Sequence, residues 1–134
     1  MDAARTHQKV PVPQDVRSAC LGPNGAVGHV TRTLRMISGR WKMPILFRLY
    51  ADPIVRSSRL LREIEGISQK MLTQHLRELE QEGLIDRHDF GKQPPRVEYR
   101  LTARGYALMP VLLAARQFSA NHPEKTVISQ TGQI

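Results

Sequence analysis

Residues 66–85, Gly-Ile-Ser-Gln-Lys-Met-Leu-Thr-Gln-His-Leu-Arg-Glu-Leu-Glu-Gln-Glu-Gly-Leu-Ile, constrain the fold more than any other stretch of the chain. Ser68 precedes an apolar periodicity, and its hydroxyl can accept from the open backbone N–H groups of a first helical turn. At about 100° per residue, Leu72, Leu76 and Leu79 share one face with Met71 at its edge. Gln69, Lys70, Thr73, Gln74 and Arg77 cluster opposite, and Glu78, Glu80 and Glu82 come only at the far end. That order opposes the helix dipole, which favours acids near the N-terminus and bases near the C-terminus. A purely structural helix gains from the reverse order. A helix whose first turns enter the major groove of DNA needs donors and amides there.

The flanking segments read as helix, helix, helix, then this fourth helix, a hairpin and a last helix. Val30, Leu34 and Ile37 recur at helical spacing between His29 and Ile37. A second helix starts near Ser38–Arg40 and carries Trp41, Ile45, Leu46 and Leu49, with Pro44 tolerable in its first turn. Asp52–Pro53 ends it, because residues before proline avoid the α region. A third helix is expected from about Arg56 to Ile64, with Leu60, Leu61 and Ile64 turned inward. After Gly83, a C-terminal cap, the runs Leu84–Phe90 and Arg96–Leu101 flank Gly91-Lys92-Gln93-Pro94-Pro95 as two strands around a turn. Thr102 is a good N-cap for a final helix to about Asn121, in which Pro110 predicts a kink or break. The fold class this order implies is mainly α with a small β-wing, a winged helix-turn-helix.

The chain has 134 residues, 40% of them apolar, which suits one small core. We expect a flexible arm over 1–26, a single domain over 27–122 and a flexible tail over 123–134. The net charge of +8 favours a polyanionic partner, nucleic acid before an anionic membrane. No apolar run approaches the roughly 18 residues of a membrane span, and residues 1–20 hold no apolar signal-peptide core. With one cysteine there is no intramolecular disulfide, which fits a reducing, cytoplasmic setting.

Three stretches resemble the HxlR-type winged helix-turn-helix transcriptional regulators. Ile37-Ser38-Gly39-Arg40-Trp41-Lys42 is similar to the family's Ile-Gly-Gly-Lys-Trp, and Gly66 to Arg87 follows its Gly-Ile-Ser-Gln-Lys-x-Leu-Thr-Gln-x-Leu-Arg-Glu-Leu-Glu run. Pro94-Pro95-Arg96-Val97-Glu98-Tyr99-Arg100-Leu101-Thr102 looks like its wing strand. The likeness spans roughly residues 28–118. It implies a cytoplasmic regulator that binds a double-stranded DNA operator as a homodimer, joined through the first and last helices. Those map onto His29–Ile37 and Arg104–Asn121, with Val30, Leu34, Leu108, Val111, Leu112 and Phe118 as candidate interface residues. The chain departs from the family in three places. Gly28-His29 stands where many members have a reactive Cys-Pro pair, Arg56-Ser57 replaces Arg-Phe, and Phe118 replaces a Trp.

Ser68, Gln69, Lys70, Thr73, Gln74 and Arg77 are the candidate DNA contacts of the recognition helix, since Arg and Lys can pair with guanine and Gln with adenine. Arg59, on the preceding helix, and Lys92 and Arg96, at the wing, are candidates for the backbone. Cys20 is the only candidate for a redox-sensing thiol, and the stretch Gly22-Pro23-Asn24-Gly25 after it is expected to flex and so to uncouple it from the first helix. The five histidines are scattered without metal-ligand spacing. No nucleophile–base pair, phosphate-cradling glycine loop or paired-carboxylate motif is present, so no metal, cofactor or enzymatic activity is expected. A small-molecule effector is compatible with the sequence but not identified by it. The competing reading is a small basic RNA-binding or protein-interaction winged-helix module. RNA stacking calls for exposed aromatics, and aromatics are only 5% here.

Overall fold

The computed structural model describes residues 20–91 and 93–124. Residues 1–19 of the expected arm, 125–134 of the expected tail, and Lys92 lie outside the described residues. The chain divides into two compact units, one ending at Gly39 and the other beginning at Arg40.

The described part of the first unit is a turn and a helix. The N–H of Gly25 donates to the carbonyl of Gly22, and the N–H of Val27 donates to that of Cys20, both at 3.0 Å. Helix α1 (Ala26–Met36) follows, three residues earlier than the spacing of Val30, Leu34 and Ile37 alone suggests. In its first turn a Cβ at Gly28 would lie 1.9 Å from the Pro23 carbonyl oxygen. Only glycine lets the helix pack this closely under the turn.

The second unit holds α2 (Lys42–Ala51), β1 (Val55–Arg56), α3 (Ser57–Glu63), α4 (Gln69–Gln81), β2 (Ile85–Asp89), β3 (Val97–Leu101) and α5 (Ala103–Asn121). The expected pair of strands is a three-stranded antiparallel sheet in the order β1-β3-β2. β1 escapes sequence reading because two residues are too few to show an alternation. The register places Val55, Arg87 and Tyr99 side by side on one face, with Arg56, His88 and Glu98 together on the other.

Ile45, Leu46 and Leu49 of α2, Leu60 of α3, Leu72 and Leu79 of α4, and Leu84 and Ile85 entering β2 are fully buried. Burying one such side chain contributes about 1.5–3 kcal/mol over leaving it in water. Together they fix α4 against the sheet with its leucines inward. Gly66, at φ +87°, makes the turn between α3 and α4. A Cβ there would also come within 3.5 Å of the Trp41 ring, which is itself buried.

The last helix differs from expectation in two respects. It runs without a break through Pro110. The proline leaves the Tyr106 carbonyl without its helical donor, but both residues are exposed, so water can take the donor's place. Its inward face is Gly105, Leu108, Met109 and Leu112, packed on α2 and β3. Leu108 and Leu112, expected at a dimer interface, are thus buried within the chain itself. A spacing of i, i+4 puts them on one stripe, whereas Val111 and Phe118, at i, i+7, share another that stays exposed at 52% and 67%.

Candidate nucleic-acid interface

Ser68 caps α4 as its position before the helix suggests: its hydroxyl accepts the Met71 N–H at 3.1 Å. With Leu72, Leu76 and Leu79 buried, the opposite side of the helix faces outward, and Gln69, Lys70, Thr73, Gln74 and Arg77 are all exposed. Two of the five make contacts along the helix, Gln69 with Thr73 at 3.2 Å and Gln74 with Glu78 at 3.3 Å. Lys70 and Arg77 make no hydrogen bond or ion pair among the described residues. Glu78 is drawn off in the other direction, toward Lys42 at 3.0 Å. The Lys42 ammonium, then Gln74, hold its carboxyl below the usual glutamate range. Glu78 is thus shared between Gln74 and Lys42, and no acid is ion-paired with Lys70 or Arg77 among the described residues.

Arg59 has a different setting. Its guanidinium donates to Asp52 at 2.7 Å and to Glu63 at 2.8 Å, while Arg48 reaches Glu63 at 3.2 Å. The hydrogen bond to Glu63, then the one to Asp52, raise the Arg59 pKa further, and Arg59 in turn holds the Glu63 carboxyl low. A guanidinium already shared by two carboxylates has little left for a phosphate. Arg96 is also engaged: Nε and Nη2 donate to one oxygen of the buried Glu98 at 2.9 and 2.7 Å, and its plane lies over Phe90. It braces the hairpin, whose end is closed by the Phe90 N–H to the Arg96 carbonyl and by the Asp89 carboxylate accepting from Gly91.

A groove of about 460 Å³ runs between α4 and the sheet, lined by Ser57, Gln69, Thr73, Arg77, Glu80, Arg87, Val97 and Tyr99. Arg87, Tyr99 and Ser57 were not singled out from the sequence. One signal was available: Arg87 is in phase with buried Ile85, so the two-residue period turns it to the side that α4 covers. Arg87 stands opposite Tyr99 in the strand register and reaches Asp89 at 3.3 Å. Burial pushes the Tyr99 phenol above its ordinary value, against the opposing pull of Arg87.

His75 packs at the edge of the apolar face, its Nδ1 3.4 Å from Glu78. No group of three or more metal-ligating side chains occurs among the described residues. No helix among them is long and apolar enough to cross a membrane. Cys20 is half-buried. Its carbonyl accepts the Val27 N–H in the first turn of α1. A cysteine at position 28 would meet the Pro23 carbonyl, which accounts for glycine there.

A capped helix with an outward cationic and amide face, preceded by a helix and a tight turn and followed by a β-hairpin, defines a winged helix-turn-helix protein. Residues 36–127 match the HxlR-like helix-turn-helix family, and the chain belongs to that family of DNA-binding transcriptional regulators. It is 44% identical over 93 residues to the uncharacterized HTH-type transcriptional regulator YtcD of Bacillus subtilis strain 168, covering 69% of this chain and 73% of that one. It is 47% identical over 92 residues to an uncharacterized HTH-type regulator of Methanothermobacter thermautotrophicus, covering 69% and 70%. A solved MarR-family transcriptional regulator from Enterococcus faecalis V583 is similar with a TM-score of 0.66 at 33% identity, over 81% of this chain and 93% of that one. These relatives are regulators, not enzymes.

Proposed function

We propose that the protein binds an operator in duplex DNA as a homodimer in the cytoplasm, with α4 in the major groove and the β2–β3 hairpin on the backbone. The observation that carries this reading is the state of the α4 ridge. Lys70, Gln74 and Arg77 are exposed on a capped helix, and neither Lys70 nor Arg77 is ion-paired among the described residues. Such a surface gains when phosphates replace its counterions and offers donors suited to base edges.

The dimer rests on unpaired apolar surface. Helix α1 buries none of its residues, and Val30 and Leu34 stand more than half exposed. Val111 and Phe118 form a second exposed stripe on α5. A two-fold pairing through such stripes would set two copies of α4 at half-sites about one helical turn apart.

The test is selection of genomic fragments with the purified chain, followed by light scattering with and without a selected fragment. Enrichment of a palindromic site bound by two chains is expected. Equal binding to all duplexes at moderate salt would refute operator recognition, and a monomer at micromolar concentration on and off DNA would refute the dimer. Val111→Glu with Phe118→Glu should dissociate the dimer and leave the protomer folded, since neither side chain is in the core.

A further inference from the structure

Helix α4 presents two polar flanks, not one. At about 100° per residue, Lys70 and Gln74 lie opposite the buried leucines and form the outermost ridge. Gln69, Thr73 and Arg77 follow each other at four-residue intervals on the side turned to the sheet, where all three line the 460 Å³ groove. The groove's far wall is Arg87 on β2 with Val97 and Tyr99 on β3, and Ser57 stands at one end. Donors dominate it: two guanidinium groups, the Ser57, Thr73 and Tyr99 hydroxyls and the Gln69 amide, against the single carboxylate of Glu80. Asp89 touches Arg87 only at 3.3 Å, a weak claim on a five-donor group.

A helix lying in a major groove directs its outermost ridge at the base edges and its flanks at the sugar–phosphate walls. The wall on the hairpin side must pass between α4 and the sheet. We infer that this groove seats one strand of the duplex backbone, with Arg77 and Arg87 closing on a phosphate from opposite walls, and that base reading is left to Lys70 and Gln74. The inference rests on the proposed DNA binding and adds a division of labour to it. Two fork-shaped guanidinium groups facing one volume suit a tetrahedral oxyanion, which accepts from both at once. The β2–β3 register sets Arg87 beside Tyr99 on the groove wall, so the strand places the second cation before DNA arrives.

The experiment compares Arg77→Gln, Arg87→Gln, Arg87→Lys and Gln74→Ala with wild type on a selected operator and on random duplex, across a salt series. Circular dichroism confirms that each variant is folded. Arg77→Gln and Arg87→Gln should each weaken both duplexes by the same factor, roughly five- to tenfold, and lower the slope of log affinity against log salt by about 1. Arg87→Lys should keep the slope. Gln74→Ala should reduce the operator-to-random ratio instead. The inference fails if Arg77→Gln weakens only the operator, which would make Arg77 a base reader, or if Arg87→Gln changes neither affinity nor slope. A wild type without any preferred duplex would refute the functional proposal itself, a separate result. A further arm adds inorganic phosphate at constant ionic strength. A competition lost in Arg87→Gln would show that the anion and the DNA phosphate share this seat, whereas a competition that persists undiminished in Arg87→Gln would place the phosphate contact elsewhere and overturn the inference.

Discussion

The two helices of the helix-turn-helix carry two lysine or arginine residues each, Arg59 and Arg62 on α3 and Lys70 and Arg77 on α4, and Arg59 is set apart from the pair on α4. On α3, Arg59 is locked between Asp52 and Glu63, with Arg48 joining from α2. On α4, Lys70 and Arg77 have no acidic partner among the described residues, while Glu78 is held by Lys42. A formal charge count treats these cations alike. What separates them is whether a carboxylate from another element has reached them first. Partners thus decide which positive charges remain available to DNA.

The largest effect that tests this contrast lies beneath the ridge. Leu79→Ala removes a fully buried side chain and should cost about 2–5 kcal/mol of stability in urea unfolding. If stability is unchanged and only DNA binding suffers, α4 is not anchored as described. Next comes the ridge itself. Gln74→Ala should cost about 1–3 kcal/mol of operator affinity while leaving the urea midpoint within experimental scatter, since the side chain is exposed. A parallel loss of stability would blur the distinction between residues that hold the helix and residues that read with it.

Arg59→Ala sharpens the contrast from the other side. Its partners are partly exposed, so the network stabilises only weakly, and a slightly lower melting temperature with unchanged DNA affinity is expected. A clear loss of affinity would return Arg59 to the interface and undo the comparison. The smallest effect is the acid response of the same cluster. The Arg59 hydrogen bond, against partial burial, holds the Glu63 carboxyl below its ordinary 4.5. A carboxyl depressed in the folded state stabilises above its unfolded pKa and loses that contribution as pH falls through the lower folded value. The melting difference between wild type and Glu63→Gln should therefore be present at neutral pH and vanish once pH drops well below 4.5.

Much of this was legible in the sequence where a feature is local. Ser68, the leucine period of α4, Gly66 and Gly83 at turns, and Thr102 before α5 each act within a few residues, and each stands where the pattern places it. What was not legible depends on distant chain. Asp52 lies on no motif with Arg59, yet it decides that arginine's engagement. The Arg87–Tyr99 pair needs the β2–β3 register. On α5, rich in leucine and alanine, composition cannot tell Leu108 and Leu112, which are buried, from Val111 and Phe118, which face solvent. β1 is too short for any period, and Pro110 is a helix breaker only where no water can serve the carbonyl it orphans.

One joint has a wider consequence. The Thr102 hydroxyl donates to the Gly83 carbonyl at 2.6 Å and accepts the Gly105 N–H at 3.0 Å, while the Thr102 N–H donates to the Leu84 carbonyl. Gly105 presses so close that a Cβ would lie 2.2 Å from the Leu84 oxygen. The hairpin leaves and re-enters the body through this clasp, β1 pairs with β3 above it, and only the tip beyond Asp89 and Val97 stands clear of the sheet. Lengthening, shortening or recharging the tip changes loop closure only slightly and leaves the ends of α4 and α5 where they are. The tip of the wing is exchangeable, so under the proposed mode of binding descendants of this chain can alter its contact with the DNA backbone without retuning α4.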